Sequence, residues 1–109
     1  MPVAVAGPTS ESAEGIVNTR LKELKQKELK QGGLTELKEG ENHEYYKLSG
    51  DRTPYPEEAA YDLKVTLGPV SGDQHKIREI NFVIEWKPER QVNYTQRFRL
   101  KSFLEVPNP

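Results

Sequence analysis

YDLKVTL (61–67), IREINFVIEW (77–86) and QVNYTQRFRLKSFL (91–104) each alternate apolar and polar residues. Period-two alternation places every second side chain on one face of a strand, so each segment describes a sheet with one apolar and one hydrated side. In the first, Tyr61, Leu63, Val65 and Leu67 point one way and Asp62, Lys64 and Thr66 the other. In the second, Ile80, Phe82, Ile84 and Trp86 share a face. In the third, Val92, Tyr94, Phe98, Leu100 and Leu104 share one, against Asn93, Thr95, Arg97, Arg99 and Lys101. An antiparallel meander with one buried face satisfies all three.

Those apolar faces require a cover. It is supplied by residues 10–31, where Ala13, Val17, Leu21 and Leu24 recur at three- and four-residue spacing with Ile16 beside them. That spacing predicts an amphipathic helix. Ser10 is the expected N-cap, Glu11 and Glu14 suit the positive helix end, and Lys25, Lys27 and Lys30 suit the negative end. Gly32 and Gly33 are the expected stop. Trp86 is expected in the core at the sheet edge, joining Ile16, Val17, Leu21 and Leu24 as contacts between cover and sheet. The fold class is therefore α+β, an N-terminal helix packed on an antiparallel sheet of three to four strands.

The chain of 109 residues reads as one domain. Residues 1–9 are expected to be disordered or derived from an expression vector, and 10–109 form a single unit: helix 10–31, variable loop region 32–60, sheet 61–104. Gly40, Gly50, Pro54 and Pro56 break any long element in the loop region, leaving room for one short strand near residues 44–48. DRTPYPEE (51–58) reads as a surface loop whose tyrosine packs on the domain edge. No stretch has the run of about 18 to 20 apolar residues that a membrane helix needs, and as it stands the chain is expected to be soluble.

Lys and Arg number 16 and Asp and Glu 17, a net charge of -1 that offers no global attraction for a polyanion. With no cysteine there is neither a disulfide nor a thiolate site. His43 and His75 lie in no metal-ligand spacing, no acid/base pair or nucleophile elbow stands out, and no phosphate-binding glycine loop is present. The expectation is a non-enzymatic protein without metal or cofactor. Arg97, Arg99 and Lys101 form a basic row on the hydrated face of the last strand that could meet a phosphate backbone or an acidic protein surface. For the row, neutralisation by carboxylates of the neighbouring strand is the simpler expectation. Pairing Trp86 with Val92 would set Glu79 opposite Arg99. Nucleic acid is not an expected partner at this charge balance. Asn93-Tyr94-Thr95 matches a glycosylation sequon inside an expected strand and is read as a chance match.

The order of these segments resembles the soluble part of type IV pilin-like proteins, notably minor pilins and the minor pseudopilins of type II secretion. AEGIVNTRLKELKQKEL (13–29) resembles the end of their long N-terminal helix, with Ala13, Leu21 and Leu24 in its pattern. YDLKVTLGPVSGD (61–73) resembles the strand and turn after their variable loop. IREINFVIEW resembles the next strand, ending in Trp86, and QVNYTQRFRLKSFL the closing strand with its final apolar pair Phe103 and Leu104. The family's basic leader, cleavage site and apolar half-helix are not in this sequence. The resemblance implies a bacterial subunit anchored in the inner membrane through that half-helix, with a periplasmic or extracellular domain. It also implies other pilin or pseudopilin subunits as partners, with the helix charges Lys22, Glu23 and Lys25 pairing with those neighbours, and a secreted substrate as a further candidate. The lack of a cysteine pair favours a minor subunit. An alternative is a small cystatin-like inhibitor or ligand-binding module, although its Gln-x-Val-x-Gly hairpin has no counterpart, the nearest stretch being QVNYT (91–95).

Overall fold

A computed structural model describes residues 7–31, 37–73, 76–88 and 94–106, with side chains of 28–31 excepted. Helix α1 (Ser10–Gln31) is followed by strands β1 (Gly40–Tyr46) and β2 (Arg52–Thr53), a single 3-10 turn (Pro56–Glu58), and strands β3 (Tyr61–Ser71), β4 (Lys76–Trp86) and β5 (Gln96–Val106). All neighbours are antiparallel, in the order β2-β1-β3-β4-β5. The sheet thus has five strands, the fifth being the two-residue β2.

The period-two reading holds for β3 and β4. Tyr61, Leu63, Val65, Leu67, Ile80, Phe82, Ile84 and Trp86 are all buried. Leu63 lies opposite Ile84, and Val65 opposite Phe82, so their side chains form cross-strand rows. β3 runs on to Ser71 through Gly68 and Pro69, with a bulge between Leu67 and Val70. Proline is tolerated there because β1 pairs with β3 only as far as Leu67, so the ladder on that side has ended.

β5 begins at Gln96, and Trp86 pairs with Gln96 rather than Val92. The register corrects two expectations. Tyr94 precedes the strand and is exposed, and Glu79 faces Phe103 while Arg99 faces Val83. Val92 and Asn93 lie outside the described residues, as do Gly32, Gly33 and His75. Phe103 and Leu104, adjacent in sequence, point to opposite faces: Leu104 is buried and Phe103 exposed.

α1 packs chiefly on β5 and β4. Ala13, Val17 and Leu24 are fully buried, whereas Ile16 and Leu21 are half-buried on its flanks. The N-cap is Thr9, one residue earlier than expected: its Oγ1 accepts the Ser12 N–H (3.1 Å) and its carbonyl the Ala13 N–H (3.0 Å). Ser10 is the first helical residue. Tyr61 reaches the same end, its hydroxyl accepting the Thr9 N–H at 3.3 Å.

The region expected to be irregular is more ordered than its composition suggests. β1 covers Gly40–Tyr46, not 44–48, and Leu48 sits exposed in the turn that follows. Asn42 anchors the start of β1: its Oδ1 accepts the Lys38 N–H (3.0 Å) and its Nδ2 donates to the Lys38 carbonyl (2.8 Å). Gly50, at φ 93, closes the β1–β2 turn in the left-handed region that favours glycine. Within DRTPYPEE, Thr53 is buried and its Oγ1 donates to Glu58 Oε2 at 3.0 Å, while Tyr55 is 54% exposed. No helix among the described residues is long and apolar enough to cross a membrane.

Candidate interaction surface

The middle of the buried helix stripe is occupied by an arginine. Residues 13, 17, 20 and 24 fall on one face at 100° per residue, which turns Arg20 toward the sheet. On β1 the inward-facing set is Asn42, Glu44 and Tyr46. Arg20 and Glu44 are 4% and 1% exposed, values that only a paired charge sustains. Arg20 Nε donates to Glu44 Oε1 and Oε2 (2.9 and 3.1 Å), and Nη2 donates to Oε2 at 2.7 Å. The Tyr46 hydroxyl donates to Oε1 at 2.7 Å. Arg52 Nη2 stands 3.5 Å from the same carboxylate, and Arg20 Nη1 also reaches Glu23 at 3.1 Å. A planar guanidinium matches a carboxylate bidentately, and this pair joins α1 to β1 across the edge of the core.

Burial pushes the Tyr46 hydroxyl well above the usual tyrosine range, and the Glu44 charge and hydrogen bond push it further. An unfolded chain loses this proton near pH 10 while the folded chain keeps it, so stability falls as pH rises above about 10. Tyr46→Phe is expected to cost about 1.5 to 3 kcal/mol at neutral pH, as for a hydrogen bond to a charged group. The difference from the parent chain should shrink above pH 10, which urea denaturation at several pH values checks.

The outer sheet face carries the basic row. Arg97 pairs with Glu85 directly opposite (3.8 Å), and Lys101 with Glu79 diagonally (2.8 Å). Cross-strand neutralisation therefore occurs, though with partners other than Glu79–Arg99. The Lys101 ammonium, by hydrogen bond, holds the exposed Glu79 carboxyl below the usual carboxylate range. Two of the three cations thus face carboxylates, which leaves little free positive charge for a phosphate backbone. On β1 and β3, Lys64 and His43 both approach Glu41, at 3.8 and 3.9 Å.

The two expected partner-binding sets do not form one surface. Arg97, Arg99 and Lys101 project from the face opposite α1, because Leu104 on the alternate set is buried. Lys22, Glu23 and Lys25 lie exposed on the helix, on the other side of the sheet. Glu23 is also tied to Arg20, which leaves Lys22 and Lys25 as the outward cations of that group.

Trp86 is buried, 6.3 Å from Tyr61 between ring centroids with the planes tilted by 54°. Its Nε1–H has no acceptor among the described residues. Among those residues, no group of three or more His, Asp or Glu is placed to hold a metal ion. Comparison with protein-family models, curated proteins and solved structures finds no match to this chain.

Proposed function

We propose that this chain is a non-enzymatic structural subunit of a type IV pilus or type II secretion pseudopilus, assembling through contacts of its helix and its sheet domain. The observation that carries the reading is the placement of α1. It leads the order of elements, lies by one flank chiefly on β5 and β4, and leaves a Lys- and Glu-bearing flank to solvent. The buried Arg20–Glu44 pair ties that helix to β1. The exposed charges on that helix then select neighbours and fix register, a task for which complementary charge is suited. Attachment to the inner membrane is proposed through an apolar segment preceding α1, with the sheet domain outside the cytoplasm.

Calorimetric titration against pilin-like subunits encoded beside this chain tests the reading. Binding is expected with at least one, weakened about tenfold by Lys22→Glu combined with Lys25→Glu, since complementary contacts become repulsive. Absence of binding to every such subunit overturns it.

A further inference from the structure

We infer that β5 is the docking edge for a second copy of this chain, joined antiparallel about a two-fold axis at Ser102. The sheet ends on one side in the two-residue β2 and on the other in the eleven-residue β5. A long edge strand presents unpaired backbone N–H and C=O groups that another strand can complete. Along it, Phe98 and Leu100 are only half-buried and Phe103 is 52% exposed. The charges on the strand are unevenly satisfied. Arg97 and Lys101 have their carboxylates on β4, whereas Arg99 faces Val83 and Glu105 faces Ile77, and neither has an ion pair among the described residues.

Side-chain alternation restricts the registers in which two copies can meet, because inward residues must meet inward ones. A dyad must therefore fall on a residue. Placed at Arg99 or Lys101, it sets that cation against itself; at Leu100, it sets Arg99 against Lys101 of the second copy. Placed at Phe103, it shortens the ladder to residues 100–106 and leaves Arg99 outside it. At Ser102 the ladder spans residues 98–106, and Arg99 meets Glu105 of the second copy twice over. Lys101 then covers the exposed Phe103 with its aliphatic stem, and inside, Phe98 meets Val106 and Leu100 meets Leu104. The two charges left unpaired in one copy are thus the ones that pair across the dyad. The interface is isologous and closed, so it ends at a dimer with one continuous sheet. It rests on the edge of β5 alone and is independent of the pilus reading.

Sedimentation velocity across a concentration series is the test. The expected result is a monomer–dimer equilibrium with Kd well below about 1 mM. Arg99→Glu and Glu105→Arg each place two like-charge pairs across the dyad and are expected to weaken the dimer about tenfold or more, and combining them restores it. A nitroxide on Phe103→Cys gives a second readout in the otherwise unaltered strand: labels on the two copies stand diagonally, about 7 to 8 Å between backbones, and broaden one another. A chain that stays monomeric throughout overturns the inference. So does a dimer indifferent to either charge reversal, or one without label broadening.

Discussion

Arg20→Met is expected to lower the free energy of unfolding by about 3 kcal/mol, the low end of the range for breaking a buried ion pair by removing one partner. Glu44 is 1% exposed, so without the guanidinium its charge stays buried with weaker company. The Tyr46 hydroxyl at 2.7 Å and Arg52 at 3.5 Å remain, which holds the loss to that low end. The triple variant Arg20→Met, Glu44→Leu, Tyr46→Phe removes every buried polar group of the cluster together. It is expected to lie within about 1 to 2 kcal/mol of the parent, because apolar replacement spares the desolvation of both ions. Urea denaturation of the parent and both variants separates the outcomes. If the single variant costs under about 1 kcal/mol, the pair is not what holds α1 to β1.

Phe82→Ala is expected to cost about 3 to 5 kcal/mol. Phe82 is fully buried on β4, between Val65 on β3 and Leu100 on β5. Alanine there loses the transfer energy of the ring and leaves a cavity beneath α1. The neighbouring backbone is held by ladders on both sides, so the site collapses poorly. Val83→Ala is the matched control: its side chain points to the outer face and is half-exposed, and it should cost under about 1 kcal/mol. Thermal unfolding of the pair gives the comparison.

What the sequence discloses and what it conceals follow from the same physics. β3 and β4 are legible because every inward residue from Tyr61 to Leu67 and from Ile80 to Trp86 is apolar. β1 is legible only at its end, because its inward face carries Asn42 and Glu44, and only Tyr46 supplies hydrophobic signal. Hydropathy registers Glu44 as surface; only the opposing Arg20 makes its burial affordable. One trace of the pair is visible in advance, since Arg20 follows Val17 by three residues and precedes Leu24 by four, inside the apolar stripe. A lone arginine in such a stripe does not name its partner across 24 residues of chain. The start of β5 is illegible for a different reason: in the sequence Val92 and Tyr94 extend its alternation backward, whereas Trp86 pairs with Gln96. Of the candidate partner residues, the sequence places Arg97, Arg99 and Lys101 on one face. Their differing carboxylate partners depend on register, which alternation leaves open by steps of two.

An assembly role is tested most directly by sequencing the N-terminus of the native protein isolated from its source and weighing the intact chain. The expected result is an apolar segment of about twenty residues, with a glutamate near its start, leading directly into α1. A native chain in which only polar residues precede α1 contradicts a pilin-like subunit.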